Sequence, residues 1–377
     1  METVGIICEY NPFHRGHAQQ IRWVKETFPQ AAVVCIMSGH FVQRGEPAVY
    51  NRQVRTKAAL LGGADLVLEL PVNVSLRSAE GFAKGAVTYL HRLGVDRLCF
   101  GAETGDKEAL LHTAETLLMP ELKEALRPYL DRGDSFPTAR AKAAEDLGAD
   151  SDILRKPNDI LAVEYCKAIL DLGSSMEPVP IPRPGDYHDP IAQKENPSAT
   201  SLRGRIFREE SLNDFVPEQA AALYKEAVPH SLCNGERAIL SKLWSMEEAD
   251  FEQIPYSSEG LWRRFWKASR THNTLEGIVE ATKSKRYTRS RLDRMVLCAF
   301  LGLTAQDLEQ EAPYIRILGF TALGRQALRQ MSKEFVVNLG KKMAHPWQTV
   351  ECRCDRLYGL FASEPENPQQ SVRVVAI

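Results

Sequence analysis

The sequence predicts a doubly wound parallel α/β sheet followed by a mostly helical second half. Three observations carry this. Short apolar runs without alternation, each reading as a strand buried on both faces, recur at residues 4–8, 31–37, 65–71 and 95–100. Segments of helical spacing separate them, and strands alternating with helices at that interval imply parallel pairing. Beyond about residue 211 the strand signal fades and helical segments follow one another. The expected division is therefore 1–210 for the α/β part and 211–377 for the helical part.

The first strand hands over to a helix through Asn11, Pro12, Phe13, His14, Arg15, Gly16 and His17. A strand-to-helix junction presents unpaired backbone N–H groups and the positive end of the helix dipole, so it is a natural seat for phosphate. His14 and His17 stand three apart and project to one side once the helix has begun. Gly16 keeps a side chain out of a ligand's way, and Pro12 restricts the backbone of Asn11. Two histidines at this spacing could also be metal ligands, but such sites take three or four ligands and none stands at a recognisable interval. Helix-capping or core histidines are the other plain reading. The strand-to-helix context favours a nucleotide.

The remaining elements follow in order. Residues 31–37 form the second strand, and ligands bind beyond the carboxyl ends of such strands. The loop 38–47 leaves at that edge, and His40, Gln43 and Arg44 make it a candidate substrate-facing loop. Residues 51–62 read as a helix carrying Arg52, Arg55 and Lys57, with Lys57 more simply a solvated cation. A helix over 78–93 precedes the fourth strand, whose end brings Gly101 to the ligand edge, where a glycine admits a ring or a ribose closely. Residues 106–149 read as helices broken near Pro120 and around 128–137. Another helix starts near Lys156, with Asn158 or Asp159 placed to cap it. The proline-rich run 177–183 suits an edge strand ending at Arg183. Ser198, Thr200 and Ser201 then offer hydroxyls at a helix start, with Arg203 one turn in, able to fork onto phosphate oxygens.

Composition narrows the class. Charged residues at 25%, hydrophobic ones at 44% and a net charge of −2 describe an ordinary soluble globular protein, so any nucleic-acid surface must be local. The N-terminus has no leader pattern and no stretch reaches membrane-span length, which predicts a cytoplasmic protein. The eight cysteines form no Cys-x-x-Cys pair and read as reduced core thiols.

In the second half, residues 283–294 carry six cations against one carboxylate, with a tyrosine among them. Cations fit phosphates and a ring can stack on a base. The plain alternative is a solvated helix face. Arg263, Arg264, Lys267 and Arg270 could extend the surface, while Trp262, Phe265 and Trp266 beside them suit a core. Residues 314–320 suit a short strand or a buried turn, and the tail from Glu364 is expected to be loosely held.

The His-x-Gly-His pattern resembles the nucleotidyltransferases that share this signature with class I aminoacyl-tRNA synthetases. Further segments narrow the match: Glu9 to His14, Met37 to Gly39, Phe41 to Pro47, Pro157 to Leu161 and Ser198 to Thr200. Together they are similar to the bacterial tRNA(Met) cytidine acetate ligase family over nearly the whole chain. The resemblance implies a Rossmann-like nucleotidyltransferase domain and a two-step reaction. ATP and acetate give acetyl-adenylate and pyrophosphate, then the acetyl group passes to the exocyclic amine of the wobble cytidine of elongator tRNA(Met). It implies catalytic roles for His14 and His17 and nucleotide contacts from Ile7, Cys8, Glu9, Tyr10, Asn11, Gly16, Gln20, Gly101, Asn158 and Arg183. Ser198, Thr200, Ser201 and Arg203 join these through the family's pyrophosphate-holding segment, with Mg²⁺ carried by the nucleotide and no protein metal site. With RNA as the acceptor, Lys283, Lys285, Arg286, Tyr287, Arg289 and Arg291 become the expected RNA contacts. A cytidylyl- or adenylyltransferase acting on a small metabolite is the alternative within the superfamily, and an RNA-binding nucleotide sensor without catalysis is the one outside it.

Overall fold

The run Val-Gly-Ile-Ile-Cys near the N-terminus is β1 (Thr3–Cys8), the strand at which the chain enters the middle of a sheet. In the computed structural model, which describes residues 1–182, 197–284, 286–312, 314–331, 336–337, 345–367 and 374–377, the other strands follow in chain order. They are β2 (Ala32–Ser38), the short β3 (Phe41–Val42) and β4 (Glu46–Pro47), β5 (Leu66–Leu70), β6 (Arg97–Ala102), β7 (Glu177–Pro182), β8 (Ile315–Phe320), β9 (Val336–Val337) and β10 (Val375–Ala376). The main sheet runs β10-β8-β5-β2-β1-β6-β7, with β9 also on β8. Strands β5, β2, β1, β6 and β7 are mutually parallel, as expected. The chain steps from β1 to β2 and β5 on one side, then returns to β6 and β7 on the other. The strand order therefore reverses between β1 and β6, which is where a doubly wound sheet opens its ligand crevice.

Both faces of the sheet are covered, which is why its strands lack alternation. Val34, Ile36, Leu66 and Leu68 point into one core beneath the helices Ala79–Arg92 and Pro157–Asp171. Val33, Cys35, Met37 and Val67 point into the other, beneath the helices Arg15–Thr27 and Arg52–Leu61. A third core belongs to the helical half and includes Ile239, Phe265, Ile278, Met295, Leu297 and Tyr358, and it also takes Phe41 and Leu76 from the first half. All eight cysteines are free thiols; Cys233 is exposed and Cys352 half-buried, unlike the core thiols expected there. Among the described residues, no helix is long and apolar enough to cross a membrane.

The sheet crosses the expected division at 210/211. Residues 315–320 form β8, antiparallel to β5, and the tail expected to be loosely held supplies β10, parallel to β8. A side chain at Gly319 would meet Leu60, Thr56 and the Val375 carbonyl within 2.8 Å, so the strand lies close against its neighbours only as glycine.

A sealed ion cluster accompanies this return. Asp355, on the helix Pro346–Tyr358, accepts two hydrogen bonds from Arg52, at 2.6 and 2.7 Å. Arg52 also reaches Glu69 at 3.0 Å, while Arg316 of β8 pairs with Glu69, Glu351 and Asp355 at 3.2, 2.9 and 3.4 Å. His40 lies 2.9 Å from Asp355 and stacks on Tyr358 at 4.1 Å between centroids. Burial opposes ionisation of Asp355, but Arg52, His40 and Arg316 together hold its carboxyl well below the usual range. His40 therefore belongs to this cluster and does not face a substrate, contrary to the expectation from its loop.

Candidate functional site

A cavity of about 500 Å³ opens at the reversal point between β1 and β6, lined at its base by Ile7 and Cys8 from one strand and Phe100 and Gly101 from the other. That volume is in the range of small-molecule sites. Its first wall is the turn after β1: Glu9, Tyr10, Asn11, His14, His17 and Gln20 all line it. His14 is the N-cap residue of the helix Arg15–Thr27 and is 1% exposed. Its ring stacks on His17 at 3.7 Å and 22°, and its backbone N–H donates to His17 Nδ1 at 3.3 Å. Tyr10 lies 4.8 Å from the His17 ring, centroid to centroid, and Phe13 5.8 Å, so the imidazole is held between aromatic neighbours. Tyr10 takes φ +47, left-handed backbone that a bulky side chain rarely adopts, at the bend that brings the histidines over the strand ends. Asn11 accepts from Val49 N–H at 2.7 Å, and Gln20 donates to the Cys99 carbonyl at 3.4 Å.

The second wall is the start of the helix Pro157–Asp171, where Asn158 faces Gly101 across the cavity lining. Capping here differs from the expectation. Neither Asn158 nor Asp159 caps its own helix; Glu103 does so from the loop after β6, accepting from the N–H groups of Asn158 and Asp159 at 3.1 and 2.7 Å and from Asn158 Nδ2 at 2.7 Å. Asp159 returns the arrangement by accepting from Thr104 N–H at 3.0 Å. The two segments are thereby locked together, fixing the spacing of Gly101 and Asn158.

The third wall is the helix Ala199–Phe207, capped as expected by Ser198, whose Oγ accepts from Ser201 N–H at 3.1 Å. Arg203 donates to the Asn11 carbonyl at 3.0 Å and to Thr200 Oγ1 at 3.2 Å, tying this helix start to the histidine turn almost 190 residues away in the chain. Ser198 and Arg203 line the cavity; Gly16, Thr200 and Ser201 sit beside lining residues, outside the lining itself. Arg183 lies outside the described residues.

The fourth wall was only partly foreseen. Gln43 and Arg44 line the cavity as the loop suggested, and Glu46, Ala79, Phe82, Tyr165 and Ser290 do so without any signal that separates them from ordinary helix and loop residues. Gly45, at φ +86, lets this loop lie against the backbone of Asp293 and Arg294, and Arg294 Nη1 donates to the Gln43 carbonyl at 3.2 Å. Lys57, as expected, is exposed, while Arg52 and Arg55 are fully buried.

The cavity lining carries both signs, with Arg203 3.7 Å from Glu46. Two helix N-termini, Arg44 and Arg203 converge on it, against Glu9 and Glu46. Burial pushes the Glu9 carboxyl above its ordinary value, while Gln43 N–H, donating at 2.7 Å, and the charges of Arg203, Arg44 and Arg55 act to lower it. Burial also keeps the Cys8 thiol and Tyr165 phenol neutral by raising both.

The basic stretch is more committed than its sequence suggests. Arg289 pairs with Glu276 and Asp293 at 2.6 and 2.8 Å, Arg286 lies 3.4 Å from Glu259, and Lys283 lies 3.1 Å from Glu280. Arg291 donates to the Tyr256 carbonyl at 2.8 Å and covers the Tyr287 ring at 4.8 Å, and Tyr287 is 9% exposed. Lys285 lies outside the described residues. Arg270 caps the end of another helix through the carbonyls of Leu243 and Trp244, at 3.1 Å each. Phe265 is in the third core with Trp262 and Trp266 packed against it, as expected of those rings.

The chain matches the model of the HIGH Nucleotidyl Transferase family over residues 1–372. It is 39% identical over 350 residues to the tRNA(Met) cytidine acetate ligase of Caldicellulosiruptor saccharolyticus, covering 89% of this chain and 86% of that one. It is 38% identical over 373 residues to the protein of the same name from Clostridium perfringens, covering 91% and 90%. Among solved structures, Thermotoga maritima TmcAL bound with alpha-thio ATP superposes over 100% of both chains with a TM-score of 0.88 and 30% identity.

Proposed function

Because the chain belongs to the HIGH nucleotidyl transferase family and, within it, to the tRNA(Met) cytidine acetate ligases, we propose that it joins acetate to tRNA(Met) at the expense of ATP. In the first step acetate attacks the α-phosphate of ATP, giving acetyl-adenylate and pyrophosphate. In the second, the exocyclic amine of the wobble cytidine of elongator tRNA(Met) takes the acetyl group, giving N4-acetylcytidine and AMP. The observation that carries this reading is the stacked His14–His17 pair on a helix N-terminus at the sheet's reversal point, facing Ser198 and Arg203.

Attack on the α-phosphate builds negative charge, and donors fixed by the fold stabilise it without reorganising. His14 and His17 take that role. Ile7, Cys8, Glu9, Tyr10, Asn11, Gln20, Gly101 and Asn158 line the cavity in which the nucleotide would lie. Arg203, with Thr200 and Ser201 behind it, is placed for the leaving phosphates, and Arg183 and Gly16 complete the expected set. Mg²⁺ would ride on the phosphates, since this ion commonly sits between substrate phosphates and water. The RNA would approach, in the cytoplasm, along the stretch that holds Lys283, Lys285, Arg286, Tyr287, Arg289 and Arg291; the ion pairs of Lys283, Arg286 and Arg289 are exposed and exchangeable for phosphate, whereas Tyr287 is buried under Arg291 and is not placed to stack on a base.

The test is acetate-dependent exchange of labelled pyrophosphate into ATP by the purified protein without RNA. Exchange with acetate and little with other small carboxylates is the expected result. No exchange, with or without elongator tRNA(Met), would transfer the reading to a nucleotidyltransferase acting on a small metabolite.

A further inference from the structure

Glu9 is a carboxylate on the wall of a cavity whose other walls collect anions, and that placement needs a reason. Two like charges about 4 Å apart at an effective dielectric near 20 repel by about 4 kcal/mol, so within the nucleotide cavity this group suits an uncharged part of a ligand and not a phosphate oxygen. Glu9 stands on the turn after β1, and its carboxylate accepts from the Gln43 N–H at 2.7 Å, so it sits where that turn meets the loop wall of the cavity. That wall is the one joined to the start of the helix Arg289–Leu301: Ser290 lines the cavity, and Arg294 holds the Gln43 carbonyl at 3.2 Å. Arg203, from the third wall, is close enough for its charge to act on Glu9 as well. A carboxylate hydrogen-bonded to the loop that joins the basic stretch is placed toward the side from which the acceptor would enter, and an acceptor that donates hydrogen bonds suits it.

On the proposed reading of the reaction, which this inference rests on, we propose that Glu9 receives the exocyclic amine of the target cytosine and takes its proton during acetyl transfer. A carboxylate accepting from the cytosine N4 amine is a standard base-edge contact. The amine is a weak nucleophile, because its lone pair is delocalised into the ring, and a hydrogen bond accepted from it returns electron density to nitrogen. The N4 lone pair forms the bond to the acetyl carbonyl carbon, the carbon–oxygen bond to phosphate breaks with AMP taking the electron pair, and one N4 proton passes to the Glu9 carboxylate. Phe82, Phe100 and Tyr165 supply ring surfaces beside it for a flat base. The groups acting on Glu9 are Arg203 and Arg55 from two helices, Arg44 from the loop after β2, and the neutral Tyr165. Burial raises its proton affinity against those three cations, which brings a carboxylate nearer the range useful to a general base.

The test is single-turnover acetyl transfer from chemically prepared acetyl-adenylate to elongator tRNA(Met), read as rate against pH. Glu9→Gln keeps an oxygen for Gln43 N–H and removes the proton acceptor. Its transfer rate should fall by about 10²–10⁴-fold, and the rise in rate with pH that wild type shows as Glu9 deprotonates should disappear. Glu9→Asp should restore part of both. A Glu9→Gln enzyme with the wild-type pH profile, at any rate, would overturn the inference, as would a defect repaired by raising Mg²⁺ or one confined to ATP affinity in exchange. Failure of the wild-type protein itself to transfer acetate would instead sink the proposed function.

Discussion

The cavity and the sealed ion cluster lie on either side of the segment from Ser38 to Pro47, and both are built from charge. Gln43, Arg44 and Glu46 face one; Gly39 and His40 face the other. In the cavity, helix ends and the side chains of Arg44 and Arg203 line a space of about 500 Å³ that leaves room for a ligand. In the cluster, Arg52, Arg316, Glu69, Glu351, Asp355 and His40 pair with one another and leave a void of only about 10 Å³ beside them. Arg55 joins the two, donating to the carbonyls of Glu9, at 2.6 Å, and Ser38, at 3.0 Å, and also to that of Gly39. The difference teaches how to tell charge held for a ligand from charge held for the fold. The first converges on volume; the second converges on itself.

Breaking the cluster should cost most. Asp355→Ala leaves Arg52 and Arg316 without one of the two carboxylates they share, and removing one member of a buried ion pair costs about 3–5 kcal/mol. Urea unfolding should register that loss; a change below about 1 kcal/mol would show that Glu69 and Glu351 suffice. The cavity should answer in the opposite currency. His17→Ala is expected to lower pyrophosphate exchange by about 10²–10³-fold, or about 2.7–4 kcal/mol of barrier, with the urea midpoint little changed. Near-normal exchange would remove the imidazole from the chemistry and erase the contrast.

Acid sharpens it by a smaller step. Burial and the neighbouring Arg52 push His40 down to about 4, against about 6.5 in the unfolded chain. At pH 7 both states are neutral. As pH falls below about 6.5 the unfolded state binds the proton first, so stability is lost progressively and the loss levels off near pH 4. The slope should stay below about 1.4 kcal/mol per pH unit for this proton. His230, also lowered, first by burial, acts in the same direction. Asp355, held well below its ordinary value, gives way only at lower pH. Urea midpoints measured from pH 7.5 to 4.5 should fall in wild type and fall less in His40→Gln; parallel curves would acquit His40.

What could be read in the sequence was what the chain writes locally. The histidine turn, the buried runs of β1, β2, β5 and β6, the helices starting near residues 51 and 78, the cap Ser198, and the edge strand after residue 176 each lie within a few neighbouring residues. Long-range pairings leave no such mark. His40 and Asp355 meet across 315 residues, and Arg52 and Asp355 across 303. An arginine in β8 reads against a buried strand until its three carboxylates are known. Ser290 reads as one more polar residue in a charged run, and Glu103 shows no capping signature because it caps a helix from another loop.

Strand β5 ends at Leu70 and its neighbour β8 begins at Ile315, about 245 residues later. At roughly 5–20 residues per second of synthesis, the ribosome needs about 12–50 s to cover that distance. Throughout it, β5 presents a bare edge, the kind that recruits strange strands, while Arg52 and Glu69 wait without Arg316 and Asp355. The newborn chain must therefore be chaperoned, or must hide that edge by itself, for longer than most of its own helices take to form.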